Sequence, residues 1–352
     1  MNYPDSLRAL RHRNYRLYFS GMIAALAGVW MQQMAIGWLM YRLTDSVFML
    51  GLAAFSWQIP VLLFASLGGV LADRYDRRKV FALALTAQAT ATGALAVVLA
   101  SGVRTPMVLT ALILLSSVMG AMGQPAYSAM LPDLVPAEEL MAILSLGIFS
   151  WNSGRIVGPI VASLMAVALG PAWTVAFNAA TFLVMAGAVT LLRRDFAPLG
   201  QGGGIVERLR DGWRAMRSTP GCWYGIRLIV LYNLTAVAFM GPIPFYAADL
   251  FDGSTGLAGT LASLQGLGAI VGGVVVTALI SRFSRSTVLV GIVVSLTVWL
   301  TAFGLAPSRP IAMGSVFVLG GCATAYFLST TSFIQRDAPA SRRGREIGRA
   351  HV

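Results

Sequence analysis

Charge is scarce in this chain. Only 11% of its 352 residues are charged, where soluble proteins carry roughly a quarter, and 57% belong to the apolar set. There is too little polar material to build a water-facing shell around that much apolar surface, which excludes an ordinary soluble enzyme. Disorder is excluded too, because it needs low hydrophobicity. Cysteine is limited to Cys222 and Cys322, both in apolar surroundings, so there is neither a disulfide framework nor metal-ligand spacing. Histidine is limited to His12 and His351, and lysine to Lys79. With no His–Glu–His or Cys–His cluster and no acid pair on one helix face, no metal, no cofactor and no embedded catalytic centre are expected. Acidic residues number 14 against 26 basic ones, a formal net charge of +12, and none of the 14 falls near the middle of a long apolar run.

What the chain does have is long apolar stretches rich in glycine (37) and methionine (16). Small residues let helix backbones approach closely in lipid. A helix crosses the hydrocarbon core in about 20 residues, and ten runs meet that length: 18–41, 47–72, 80–101, 107–131, 140–170, 172–192, 223–245, 254–281, 287–307 and 311–333. The first is too long for a signal peptide and has no small-residue cleavage site. The fold class expected is all-α, a polytopic membrane protein.

Arginine placement sets the orientation. One side receives Arg8, Arg11, Arg13 and Arg16, then Arg74, Arg77, Arg78 and Lys79, then the connection after the sixth run, then Arg282 and Arg285, then the tail. The other side receives only Arg42, Arg104 and Arg309. The exception on the basic side is the loop after the fourth run, with Asp133, Glu138 and Glu139. The N-terminus is therefore expected in the cytoplasm, in a multi-pass protein of the cell membrane, an inner membrane where there are two. Charge spread over loops in this way makes no nucleic-acid groove.

The chain divides after the sixth run. Residues 1–192 form an expected six-helix bundle, 193–221 a linker, and 222–346 an incomplete four-helix bundle. In the linker, Val206, Leu209, Trp213 and Met216 fall at helical spacing among arginines, as in a helix lying on the membrane surface. Its glycines at 202–204 lack the preceding strand and the lysine of a phosphate loop. The halves repeat weakly. Asp73-Arg74-Tyr75-Asp76-Arg77 after the second run matches Ser281-Arg282-Phe283-Ser284-Arg285 after the eighth, and Asp133 with Pro136-Ala137 matches Asp337 with Pro339-Ala340. A repeat six runs apart points to two bundles with a site between them, and to two further spans beyond Arg345. Residues 347–352 resemble the translation of a sequencing adapter and are expected to be an artefact.

Gly69-Val70-Leu71-Ala72-Asp73-Arg74-Tyr75-Asp76-Arg77-Arg78-Lys79 resembles the signature loop between the second and third helices of the major facilitator superfamily. That resemblance implies a two-bundle transporter fold of twelve helices, about ten of them present. It also implies a gate in which Gly69 permits close helix contact and Asp73, Arg74, Arg77 and Arg78 pair across the gap. Asp76 stands where the superfamily often has glycine. Gly154-x-x-x-Gly158-Pro159 in the fifth run looks like the antiporter motif of drug exporters, with Ala162 and Ser163 in place of two glycines. Gly154, Gly158 and Ala162 form one smooth stripe, and Pro159 loosens the helix ladder. Stretches such as Asn14-Tyr15-Arg16-Leu17-Tyr18, 41–46, 131–136 and Gly212-Trp213 resemble the branch containing enterobactin exporters and macrolide efflux proteins.

Arginine inside a span is costly, roughly 2.5–3.5 kcal/mol on insertion scales. Arg227 lies near a span end and can snorkel. Arg155 lies deeper, with Asn152 three residues before it on the same face, and is expected to meet an anionic or carbonyl-rich substrate or a structural partner. Helices one, four, seven and ten line the cavity in the family, so the resemblance implies Gln33, Gln124 and Asn233 as further substrate contacts. Trp30, Trp38 and Phe239 are candidate cavity aromatics. The expected function is secondary active export, as an antiporter, of small hydrophobic or siderophore-like molecules by alternating access. The alternatives are an importer or uniporter of the same fold, or an inactive fragment lacking the last two helices. Expected partners are a small-molecule substrate, protons as a candidate coupling ion and the lipid bilayer, with no nucleic acid, and the chain is expected to be a monomer. The fourth run lacks the arginine of the family's proton-relay motif, reading Leu112-Ile113-Leu114-Leu115-Ser116-Ser117.

Overall fold

A computed structural model describes residues 5–194, 196, 255–306 and 308–337, with residues 214, 217, 223, 224, 227, 228 and 245–247 between them. Most of the expected seventh span and surface helix, together with Asn233 and the tail after Asp337, lies outside the described residues. The chain forms two compact units, Met1–Ile205 and Val206–Val352.

The first unit holds α1 (Arg13–Thr44), α2 (Val47–Arg74), α3 (Arg77–Ala100), α4 (Pro106–Met130), α5 (Leu140–Ala168) and α6 (Pro171–Thr190). The second holds α7 (Thr255–Arg282), α8 (Arg285–Gly304) and α9 (Arg309–Asp337), the eighth to tenth expected runs. Among the described residues nine helices are long and apolar enough to cross a membrane, and no strand occurs. The shortest, α6 and α8, have 20 residues each, about 30 Å of rise, which matches the hydrocarbon core. The 32 residues of α1 exceed it. This helix starts at Arg13 rather than at the first apolar residue, continuing the 3-10 turn Asp5–Arg11.

The connections are short because their residues cap. Asp45 takes the left-handed conformation (φ 49°) and its N–H bonds the Tyr41 carbonyl at 2.8 Å. Ser46 then accepts from the Met49 N–H to start α2. Asp76 accepts from the N–H groups of Arg78 (2.9 Å) and Lys79 (3.2 Å), which makes it the N-cap of α3. In the second unit Ser284 accepts from the Thr287 N–H at 3.2 Å and caps α8. The two copies of the Arg-aromatic-x-Arg repeat are therefore the same device. A helix ends on the first arginine, two residues turn, and a capping side chain starts the next helix on the second. This gives Asp76 a reason to stand where glycine is common.

Packing repeats as well. In the first unit α1 packs on α5 and α6, α3 on α4 and α6, and α4 on α2; in the second, α9 packs on both α7 and α8. The pair α7–α9 thus mirrors α2–α4, and both depend on glycine. A Cβ at Gly68 would collide with the Met122 carbonyl of α4. In α7–α9, Cβ atoms at Gly268, Gly272 and Gly320 would collide with the carbonyls of Phe317, Gly321 and Gln265. The close approach expected at Gly69 is made by its neighbour instead, since a Cβ at Gly69 would meet nothing within 4 Å. One residue along a helix turns the side chain by about 100°, so Gly69 points away from the contact that Gly68 makes.

Two pairs of buried polar side chains join neighbouring helices. The Asn178 amide of α6 donates to Gln32 Oε1 of α1 at 2.6 Å, and the hydroxyls of Thr92 and Ser116 join α3 to α4 at 2.8 Å. Most other serines and threonines bond a carbonyl of their own helix one turn back, as Thr110 does to Pro106 and Ser150 to Leu146. This is the internal satisfaction that hydrocarbon demands. Large apolar side chains such as Phe48, Leu83, Leu164 and Val167 stay exposed on the unit surfaces, as lipid-facing positions do.

The α2–α4 contact yields a test. Gly68→Val should destabilise the purified protein by about 1–3 kcal/mol through overpacking, measured as a lower melting midpoint in detergent. Gly69→Ala should shift it by no more than about 0.5 kcal/mol. Equal losses at the two positions would contradict the assigned packing.

Candidate functional site

Arginines and helix ends gather at one end of the first unit. Arg77, in the first turn of α3, is buried, with its side chain 9% exposed. Its Nη2 sits 3.0 Å from Asp133 Oδ2 and its Nη1 donates to the Ala129 carbonyl at 2.7 Å. Its backbone N–H donates to the Phe196 carbonyl at 3.2 Å. One residue thereby ties the start of α3 to the last turn of α4 and to the chain after α6. Arg78 adds a bond to the Leu192 carbonyl at 2.8 Å, placing positive charge on the carbonyl-rich end of α6. Arg194 donates to the Asp133 carbonyl and approaches its Oδ1 at 3.8 Å. His12 Nε2 lies 3.1 Å from Glu139 Oε2.

The acidic loop, the exception on the basic side, thus supplies Asp133 as the counter-charge of Arg77 and Arg194. Sequence reading assigned no role to Asp133, although a carboxylate among so many arginines was the available signal. Of the expected gating residues, the structure joins Arg77 and Arg78 to this network. Arg74 is exposed in the last turn of α2, Asp73 is half-buried, and Gly69 faces open space. Arg285 holds the position in α8 that Arg77 holds in α3. Its Nη1 is buried with no hydrogen-bond partner.

The second cluster lies on α5 against α1. A Cβ at Gly158 would stand 2.6 Å from Trp30 Cβ, and one at Gly154 would stand 3.0 Å from Trp30 Cδ1 and 3.3 Å from the Leu26 backbone. The glycine stripe, continued by the fully buried Ala162, is the seat of Trp30. Arg155 lies over that indole, with its Cζ 5.7 Å from the ring centroid, within cation–π range. Trp151 meets the same ring edge-on at 5.4 Å. The Trp30 Nε1 is buried without a hydrogen-bond partner. Pro159 is buried within α5.

The remaining candidates are placed differently. Asn152 is buried and spends its amide donor on the Ile148 carbonyl of its own helix at 2.9 Å. Gln33 is half-buried and Gln124 exposed; the interhelical hydrogen bond of this part of α1 belongs to the adjacent Gln32. Asn233 lies outside the described residues.

Removing one member of the Arg77–Asp133 pair leaves the other charge uncompensated at a partly solvated site. Asp133→Asn and Arg77→Gln should each cost about 1.5–3 kcal/mol of stability, and the double variant should cost less than their sum in a double-mutant cycle on melting midpoints. Additive losses would mean that the pair does not couple.

Comparison with known proteins agrees with this architecture. The chain is 24% identical over 347 residues to the enterobactin exporter EntS of Escherichia coli O1:K1, covering 96% of this chain and 80% of that protein. It is 25% identical over 258 residues to macrolide efflux protein A of Streptococcus pyogenes, covering 69% of this chain and 62% of the relative. It therefore spans less than two thirds of the latter's length. The crystal structure of the nucleoside transporter NupG shares the fold, with a TM-score of 0.70 and 16% identity over 96% of this chain and 86% of that one. Residues 5–348 match the family described as transmembrane secretion effector. With nine spanning helices among the described residues, the chain is a multi-pass membrane protein that belongs to this family of the major facilitator superfamily.

Proposed function

We propose that the chain is a secondary active transporter that exports small hydrophobic or siderophore-like molecules by alternating access. In this reading the bundles 1–192 and 222–346, joined by 193–221, rock about a central site. The arginine-rich turns face the cytoplasm, and the monomer is the working unit. The relatives support transport as the class of activity: EntS is an enterobactin exporter and macrolide efflux protein A an efflux protein. The outward direction is taken from these two relatives, and the observation that supports the site is the seat of Trp30 on Gly154 and Gly158, with Arg155 over the indole. A glycine stripe lets one helix slide or tilt on another without unpacking large side chains. It also presents a cation and an aromatic face together, a combination suited to flat, electron-rich molecules. Gln33, Gln124, Asn152 and Asn233 are assigned supporting polar contacts. The gate is assigned to Gly69, Asp73, Arg74, Arg77 and Arg78.

A uniporter or importer is the second reading, because none of the 14 acidic residues lies mid-span to carry a proton. Direction is read from cells. A strain expressing the chain should accumulate less of a macrolide or catechol siderophore probe than a vector control. Arg155→Ala should slow export about tenfold, while Arg42→Ala, exposed in the last turn of α1, should not. Greater accumulation in expressing cells would identify an importer. No alkalinisation of the acidic compartment in proteoliposomes, alongside intact substrate flux, would identify a uniporter.

A further inference from the structure

The arginine-rich end of the first unit carries a pocket that neither the gate nor the α1–α5 cluster uses. It is open on one side, about 740 Å³ in volume, and walled by Arg13, Asn14, Pro132, Pro136, Arg193 and Arg194. The two prolines have fixed φ and stiffen the rim. Asp133 and His12 also line the pocket, but both side chains already have partners. Asp133 faces Arg77 at 3.0 Å and Arg194 at 3.8 Å, and His12 faces Glu139 at 3.1 Å. Arg13 and Arg193 have no carboxylate within ion-pair distance among the described residues. Arg13 spends one N–H on the Leu191 carbonyl at 3.3 Å. Asn14 clamps residue 193 from both sides, its Oδ1 accepting from the Arg193 N–H at 3.1 Å and its Nδ2 donating to the Arg193 carbonyl at 3.5 Å. Two guanidiniums from opposite ends of the unit's sequence are thus brought to one pocket with no carboxylate paired to either among the described residues.

The geometry points to a binding site for a phosphate-bearing anion, and its occupant is the headgroup of an acidic phospholipid. Guanidinium forks match phosphate oxygens. The pocket lies at the first turn of α1 and just past the end of α6, and spanning helices leave the hydrocarbon for the headgroups at their ends. Leu134, Val135 and Leu140 add apolar lining beside the charges, which suits a ligand with an acyl chain. Basic pockets at this depth are general sites of headgroup recognition. A free phosphate would meet solvent-exposed, salt-screened charges without that apolar contact.

Native mass spectrometry of the purified full chain, with phosphatidylglycerol titrated against phosphatidylcholine, tests the assignment. Phosphatidylglycerol should be retained preferentially. Arg193→Gln, which removes no side-chain hydrogen bond seen here, should weaken retention about fivefold, and Arg13→Gln with Arg193→Gln about 25-fold. Arg8→Gln with Arg11→Gln removes two charges of the same arm that do not line the pocket, and should change retention less than threefold. Unaltered helicity and elution identify the variants as folded. Equal retention of both lipids, or equal weakening by the arm variant, would overturn the site. Displacement of phosphatidylglycerol by millimolar glycerol phosphate or inorganic phosphate would overturn the lipid as its occupant.

Discussion

A guanidinium buried at the end of a helix bundle has to be neutralised where it stands, and Arg77 is neutralised by Asp133 at 3.0 Å. Much of the arginine-rich end follows from that contact. It fixes the first turn of α3 on the 3-10 turn that follows α4, while the backbone of Arg77 and the side chain of Arg78 hold the chain just after α6. The turn that delivers Arg77 is set by Asp76, which caps α3 and so decides where the helix begins. The same plan returns at Ser284 and Arg285 in the second unit. The repeat is therefore a repeat of helix caps as much as of charges.

Away from that end, the bundle is held by close backbone approach and a few polar pairs. Gly68 on α4, the glycines between α7 and α9, and Gly154 with Gly158 under Trp30 all place backbone against a neighbouring helix. In lipid, where burying apolar surface between helices gains little over leaving it in acyl chains, such contacts and hydrogen bonds like Gln32–Asn178 supply the specificity. The α5 stripe differs from the others in what it carries. Its contact face bears an indole with a cation above it, so structure and candidate binding share one surface.

The spans were legible from apolar run length alone, and so were the repeated turns, because arginine and capping residues mark helix ends locally. Helical phase was not legible. A helix that is apolar all round has no sequence stripe to say which face turns inward, and this is why the close approach expected at Gly69 is found at Gly68 instead. The pairing of Asp133 with Arg77 was hidden for another reason. The partners are far apart in sequence, and only the packing of α3 on α4 brings them together. Trp30 was visible as an aromatic residue in a span, but its seat on Gly154 and Gly158 required the α1–α5 contact.

The account stands on both copies of the capped turn facing the cytoplasm. Arg74 and Arg282 are exposed, each at the end of the helix preceding its turn. With Cys222 and Cys322 replaced by serine, single cysteines at these two positions can be probed with a membrane-impermeant maleimide in intact and in permeabilised cells. Both should react only after permeabilisation. Labelling of either from outside intact cells would contradict the cytoplasmic orientation on which the transport reading depends.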